Sequence, residues 1–104
     1  MKKLTELARV IRSKNASPFE LTLDIIFKND SDYFTIKERE LINKSLIAGI
    51  YNIEEENIRK LVYFDPALAI KVCVKRACPS GAPGDTDVYG AQQHAPLLGL
   101  SLDL

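Results

Sequence analysis

The clearest pattern in the chain is an alternation of apolar and polar side chains between residues 19 and 27. Every second position is apolar, namely Phe19, Leu21, Leu23, Ile25 and Phe27. Polar side chains stand at three of the intervening positions, Glu20, Thr22 and Asp24. Because successive side chains of an extended chain point to opposite sides, this stretch predicts a strand with one buried face.

Three later stretches also have strand-like patterns. They are residues 58–64, 67–75 and 98–104, and in the last of these every second residue is leucine. Pro66 has no backbone N–H to donate to a sheet, so Asp65-Pro66 predicts a hairpin turn or a bulge between the first two. The sequence therefore predicts at least four strands.

Two helices are expected between the early and late strands. The first runs through residues 33–37, with Asp30 or Ser31 as its N-cap. The second begins after Asn43 as N-cap and ends at Asn52, a residue type that tolerates the left-handed conformation at helix ends. Its apolar stripe consists of Leu46, Ile47, Ile50 and Tyr51.

The first segment, residues 4–12, has two interpretations. Its apolar residues are spaced as on a helix, and residues 7–13 also alternate as in a strand; the periodicity alone favours a helix. Residues 13–18 are turn formers, and Pro18 disfavours a helical conformation at Ser17. We therefore expect a turn at 13–18.

Strands at both ends with helices between them predict an α+β fold. We expect a ferredoxin-like arrangement, with an antiparallel or mixed sheet of four to five strands and two short helices on one face. The length of 104 residues predicts one domain over 1–104.

The amino-acid composition of the chain disfavours several classes of function. The hydrophobic fraction of 46% is that of a folded protein. Fourteen basic and fourteen acidic residues give a net charge of zero, which disfavours a nucleic-acid partner and leaves self-association open. With no signal-like or membrane-spanning apolar stretch, a cytoplasmic protein without a membrane partner is expected.

No metal or other cofactor is expected. Cys73 and Cys78 are the two cysteines, and two thiols with one histidine make a poor metal site. In a reducing compartment, Cys73 is expected to be a buried small hydrophobe and Cys78 a loop thiol. The three glutamates at 54–56 are most simply interpreted as a solvated acidic turn.

The segment that most suggests chemistry is residues 77–97, about twenty residues without clear periodicity. Loops of this length in compact domains are usually functional or disordered. Disorder is the simpler interpretation for residues 79–83, which are rich in proline and glycine. Beyond Gly84 a polar pocket is expected from Asp85, Thr86, Asp87, Tyr89, Gln92, Gln93 and His94.

His94 is the natural proton donor or acceptor, because it is the only histidine. Asp85 or Asp87 would orient it, and Thr86, Tyr89, Gln92 and Gln93 would position substrate. A structural, hydrogen-bonded histidine is the alternative. The predicted turn is a second candidate that would bind a carboxylate or phosphate through Arg12, Ser13, Lys14 and Asn15, although surface cations are commonly just solvated.

Three runs carry a family resemblance: LARVIRSKN at 7–15, FDPALAIK at 64–71 and GDTDVYGAQQHAPL at 84–97. With them, nearly the whole chain resembles a small bacterial family of unknown function that is encoded beside acyclic terpene utilisation (AtuA-like) proteins. It is also similar to the C-terminal ferredoxin-like domain of those proteins, in which an opening strand leads to a Ser-Gly-Asp-Lys-Gly turn. Arg12 to Asn15 stand at that place without the glycines and the aspartate. The resemblance implies a strand for residues 7–12, packed beside residues 19–27.

The resemblance also implies a partnership. A small chain similar to one domain of a large neighbour would supply that domain separately, as the small subunit of a two-component assembly with an AtuA-like large protein. The late polar loop would then contribute to a shared site on a carboxylate or acyl thioester, with hydratase, lyase or isomerase chemistry by analogy. The alternative is a non-catalytic, self-associating binding or scaffold module, and an enzyme acting alone is the weakest hypothesis.

Overall fold

Six strands and three helices follow one another in the part of the chain that the structure describes. A computed structural model describes residues 1–17, 19–75 and 95–104. Its elements are β1 (Lys2–Lys3), α1 (Leu4–Leu7), β2 (Ala8–Ser17), β3 (Glu20–Phe27), α2 (Asp30–Arg39), α3 (Lys44–Tyr51), β4 (Ile58–Phe64), β5 (Ala69–Lys75) and β6 (Ser101–Leu102). Short 3₁₀ turns occupy Glu55–Asn57, Asp65–Ala67 and Ala95–Gly99.

The four long strands form one antiparallel sheet in the order β2-β3-β5-β4. The two-residue strands β1 and β6 pair with each other separately. The α+β class predicted from the sequence is therefore confirmed, with a four-stranded antiparallel sheet compatible with a ferredoxin-like fold. None of the helices in the described ranges combines the length and apolar character that crossing a membrane requires.

Asparagine side chains cap both main helices. The Asn29 Oδ1 accepts from the Asp32 backbone N–H at 3.0 Å, and the Asn43 Oδ1 accepts from that of Leu46 at 2.9 Å. Asn52 ends α3 in the left-handed region, with φ of 54°. Asn43 and Asn52 are thus confirmed as caps. The predicted cap of α2 was wrong by one or two residues, because Asp30 and Ser31 already lie within the helix.

The core lies between the helices and one face of the sheet. On β3 the buried apolar residues are Leu21, Leu23, Ile25 and Phe27, as the alternation predicted. Helices α2 and α3 contribute Tyr33, Ile36, Ile47 and Ala48 to the same cluster, and the C-terminal segment adds Leu97 and Leu102. Phe19 precedes β3 and is 55% exposed, so its predicted place on the buried face was wrong.

Several predicted boundaries differ from the structure. Residues 4–7 form one helical turn, and the strand implied by the family resemblance begins at Ala8 beside β3. That strand continues to Ser17, so the predicted turn at 13–18 was wrong: pairing with β3, as far as Ser17 opposite Glu20, overrides the local turn propensity. Strand β5 begins at Ala69 and not at the predicted Ala67, whereas the predicted hairpin turn at Asp65-Pro66 is confirmed as a 3₁₀ turn that joins the antiparallel strands β4 and β5.

The predicted final strand at 98–104 was mostly wrong. The Leu100 N–H donates to the Leu97 carbonyl at 3.1 Å, which closes the 3₁₀ turn, and only Ser101–Leu102 is strand. Leu97 is fully buried. The leucines of this segment therefore fill the core from a turn as well as from a strand.

The two faces of β3 predict different responses to the same substitution. We expect Ile25→Val to lower the free energy of unfolding by about 1 kcal/mol, because Ile25 is fully buried against the helices. We expect Ile26→Val, on the opposite face and half-buried, to cost less than about 0.5 kcal/mol. Urea unfolding of both variants measures the difference, and equal losses would contradict this assignment of faces.

Candidate functional site

Most of the residues predicted to carry chemistry lie outside the described ranges. They are Asp85, Thr86, Asp87, Tyr89, Gln92, Gln93 and His94, together with Cys78. Their roles stay predictions.

The second predicted site, residues 12–15, forms part of β2 and not a turn. Side chains therefore alternate between two faces. Arg12 and Lys14 are exposed on one face, whereas Ser13, opposite Leu23, is buried on the side of the helices, and Asn15 shares that side. Of these four residues, only Arg12 and Lys14 lie together on the exposed surface of the sheet.

That surface is the face of the sheet opposite the helices, which we call the open face. The described helices and the 3₁₀ turn Ala95–Gly99 pack on the other side. Because directly opposite residues in antiparallel strands share a face, the open face consists of cross-strand rows. The rows are Val10-Ile26-Ala69-Phe64, Arg12-Asp24-Lys71-Val62, Lys14-Thr22-Cys73-Lys60 and Glu20-Lys75.

One end of the open face is apolar, and the rest of it is basic. Its first row is apolar and includes Phe64, whose side chain is largely exposed. The other rows carry five cations, Arg12, Lys14, Lys60, Lys71 and Lys75, against the carboxylates of Glu20 and Asp24. Since the whole chain has zero net charge, an excess of acidic residues elsewhere balances this face.

Asp24 is the most unusual residue of the open face. The Arg12 Nε donates to its Oδ2 at 3.0 Å, and the side-chain exposures are 59% for Arg12 and 7% for Asp24. The other oxygen, Oδ1, is buried and has no hydrogen-bond partner among the described residues. A buried acceptor without a partner costs about 1–3 kcal/mol. A donor placed beside Oδ1 would therefore be favoured.

The alternation in β3 predicted Asp24 on the polar face but gave it no partner. A carboxylate that is buried on a central strand requires one. Its partner, Arg12, is twelve residues away and becomes adjacent only through strand pairing. The sequence shows that Asp24 is there, but which residues surround it depends on how the strands pair.

A recess at the start of β4 is a weaker candidate. It has a volume of about 790 Å³ and is lined by residues 55–59 with Lys44 and Lys75. Arg59 pairs with Glu20 at 3.7 Å, and Glu55 and Glu56 are exposed, in agreement with the predicted solvated turn. Charges of both signs line the recess, so its electrostatic preference for a ligand is weaker than that of the open face.

The third polar cluster, formed by Tyr33, Lys37 and Asp65, is structural. The hydroxyl of the fully buried Tyr33 donates to the Asp65 Oδ1 at 2.6 Å, and the Lys37 Nζ lies 2.8 Å from both carboxylate oxygens. Burial raises the pKa of Tyr33 most, and its hydrogen bond to Asp65 raises it further. The hydrogen bond from Lys37 lowers the pKa of Asp65 most, and the one from Tyr33 lowers it further. The cluster ties α2 to the β4–β5 connection.

In the part of the chain that the structure describes, no group of three or more His, Cys, Asp or Glu side chains is placed to hold a metal ion. Cys73 is a free thiol, half-buried on the open face, and not the core residue that was expected.

The lowered pKa of Asp65 predicts a pH-dependent stability. A carboxyl whose pKa is lower in the folded state stabilises the fold above its unfolded pKa, ordinarily 3.8, and this contribution is lost as the pH falls through the folded value. We expect Asp65→Asn to reduce the dependence of urea unfolding on pH below about 4. Asp103→Asn, which removes a carboxylate outside the cluster, is the control. Parallel pH profiles for wild type and Asp65→Asn would contradict the assignment.

Comparison with known proteins gives a family but no function. Neither curated proteins nor solved structures yielded a match. A family model described as "Domain of unknown function (DUF4387)" matches residues 4–101, which is nearly the whole chain. The chain therefore belongs to the DUF4387 family of unknown function.

Proposed function

We propose that this chain is the small subunit of a two-component cytosolic assembly with an AtuA-like large protein. In this assembly residues 84–94 contribute to a shared site that acts on a carboxylate or acyl thioester, with hydratase, lyase or isomerase chemistry. His94 moves the proton, Asp85 or Asp87 orients it, and neighbouring amides position the substrate. The family resemblance supports the choice of partner.

The single observation that carries the proposal is the open face. In the described part of the chain, helices cover only one side of the sheet, which leaves the second face available to a partner. Here that face combines an apolar row containing Phe64 with five cations. Complementary charge steers association and fixes its register, so the fitting occupant is an acidic surface of the large protein with an apolar margin.

The polar contacts of the described residues favour a shared site over an enzyme acting alone. Asp24 is paired with Arg12, and Asp65 is held by Tyr33 and Lys37. In those ranges no nucleophile, base and oxyanion donor come together, which is the minimum set for acyl chemistry. The missing groups would come from residues 84–94 and from the large chain.

Charge reversal on the open face tests the docking proposal. Lys14 and Lys60 lie in one row and are exposed. We expect the double variant Lys14→Glu and Lys60→Glu to weaken copurification with a co-expressed AtuA-like large chain by at least tenfold, because it places like charges on the facing surfaces.

The matched control is Lys28→Glu with Lys44→Glu, which makes the same change of net charge at exposed positions outside the open face. We expect this control to copurify as wild type does. Absence of a complex with the wild-type chain, or equal loss in both double variants, would contradict docking through the open face.

A self-associating scaffold is the second candidate, favoured by the outer edge of β4. This strand has seven residues and pairs with β5 on one side, while its other edge pairs with no described strand. An edge strand of this kind can pair with a second copy. Sedimentation of the isolated chain would then show a dimer that dissociates on dilution. A monomer at all concentrations would exclude this candidate.

A further inference from the structure

The outer edge of β4 carries apolar side chains that the rest of the chain covers only in part. Val72 of the central strand β5 is fully buried, whereas Leu61, directly opposite it on β4, is half-buried. Val62 and Tyr63 are also half-buried, and Phe64 is 45% exposed. Apolar side chains at a strand edge that no described strand covers favour pairing with a further strand.

A bulge divides this edge into two parts. The pairing of β4 with β5 is irregular between Ile58 and Lys60, and from Lys60 to Phe64 it is regular. The bulge and the charge of Arg59 are features that hinder edge-to-edge pairing in the first part. The regular edge therefore consists of Lys60–Phe64, and Val62 is its midpoint.

Symmetry restricts how a second copy of the chain can pair with this segment. In an antiparallel dimer with a two-fold axis perpendicular to the sheet, every residue stays on its own face. Directly opposite residues share a face, so the axis has to pass through one residue of the strand. The choice of that residue fixes the register.

Repulsion between the two Lys60 ammonium groups selects the position of the axis. An axis at Lys60 places them directly opposite each other, and an axis at Leu61 leaves them roughly 8 Å apart. An axis at Val62 separates them by roughly 14 Å, which exceeds the Debye length of about 8 Å at physiological salt. It also pairs the whole regular segment with itself, whereas an axis at Tyr63 pairs only its last part.

The same register matches the side chains on both faces of the sheet. On the open face Lys60 lies opposite the second copy's Phe64, and a lysine above an aromatic ring is a favourable contact. The chain already makes one such contact, because the Lys71 Nζ lies 5.6 Å from the centroid of the Phe64 ring. On the helix side Leu61 lies opposite the second copy's Tyr63. The half-buried side chains of the edge are covered in this arrangement.

We propose that β4 pairs antiparallel with β4 of a second copy, with the two-fold axis at Val62. Two four-stranded sheets then form one eight-stranded sheet, and two open faces form one continuous basic face. The edge and the open face are different surfaces, so the dimer leaves the open face accessible to a large chain. The inference gives the residues and the register of the self-association named above, and it does not depend on the large chain.

Cysteine cross-linking of the full chain tests the register, in a background with Cys73→Ser and Cys78→Ser. Val62→Cys places two thiols directly opposite each other, with Cα atoms about 4.5–5.5 Å apart, which suits a disulfide. We expect mild oxidation to convert most of this variant to a covalent dimer. A mixture of Lys60→Cys and Phe64→Cys chains should cross-link in the same way, whereas Lys60→Cys chains alone should not.

A monomer at all concentrations would overturn the proposal. So would a dimer in which neither of the expected cross-links forms, or one in which Lys60→Cys chains cross-link with each other as efficiently as Val62→Cys chains.

Matched substitutions on the two outer strands separate this edge from the other edge of the sheet. Val62→Lys places two ammonium groups opposite each other at the axis, so we expect dimerisation at least tenfold weaker by sedimentation. Val10→Lys makes the same change at a half-buried position of the open face on β2. It should leave the dissociation constant within about twofold of wild type. Equal weakening by both variants, or weakening by Val10→Lys alone, would overturn the proposal.

If Val62→Lys does not fold, the cross-links still decide. Their outcome is separable from that of the docking test. A dimer with another register would end this proposal and leave self-association standing. A monomer would end both, while copurification with the large chain would still support docking through the open face.

Discussion

Burial of one face of strands β3 and β5 against the helices is the constraint from which the rest of the molecule follows. Leu23 and Ile25 on β3 and Ile70 and Val72 on β5 are fully buried there. A shift of one residue in either strand would exchange the two faces, so this burial fixes the register of the whole sheet. It also determines which side chains point away from the core, and therefore the composition of the open face.

The cluster of Tyr33, Lys37 and Asp65 attaches helix α2 to this sheet. The Tyr33 ring packs among Phe27, Phe34 and Tyr63, with centroid separations of 5.0 to 6.0 Å, while its hydroxyl reaches Asp65 at the connection of β4 and β5. Helix α2 is thereby attached to β3 and β4 through ring contacts and to the β4–β5 connection through a hydrogen bond. The open face rests on a sheet whose helix side is closely packed.

Local signals in the sequence predicted the parts of the fold that depend on nearby residues. The alternation in β3 and the caps Asn43 and Asn52 act within a few positions, and each was found correctly. The extension of β2 to Ser17 and the Arg12–Asp24 pair depend on strands that meet only in the folded chain, and neither was predicted. The turn assigned to residues 12–15 failed for the same reason, because pairing with β3 outweighs the turn propensity of those residues.

The proposed function involves both the open face and residues 84–94. The open face, with its unpaired Asp24 oxygen, is described by the structure, whereas the roles of residues 84–94 are predictions from sequence and from family resemblance. In the proposed function the open face docks the large chain and residues 84–94 supply polar groups to the shared site.

Lysine acetylation of the small chain, alone and mixed with the AtuA-like large chain, tests the assembly most directly. Docking through the open face should make Lys14, Lys60 and Lys71 several-fold less reactive in the mixture, while Lys28 and Lys44 keep their reactivity. Protection of Lys28 and Lys44 with unchanged reactivity on the open face would contradict it.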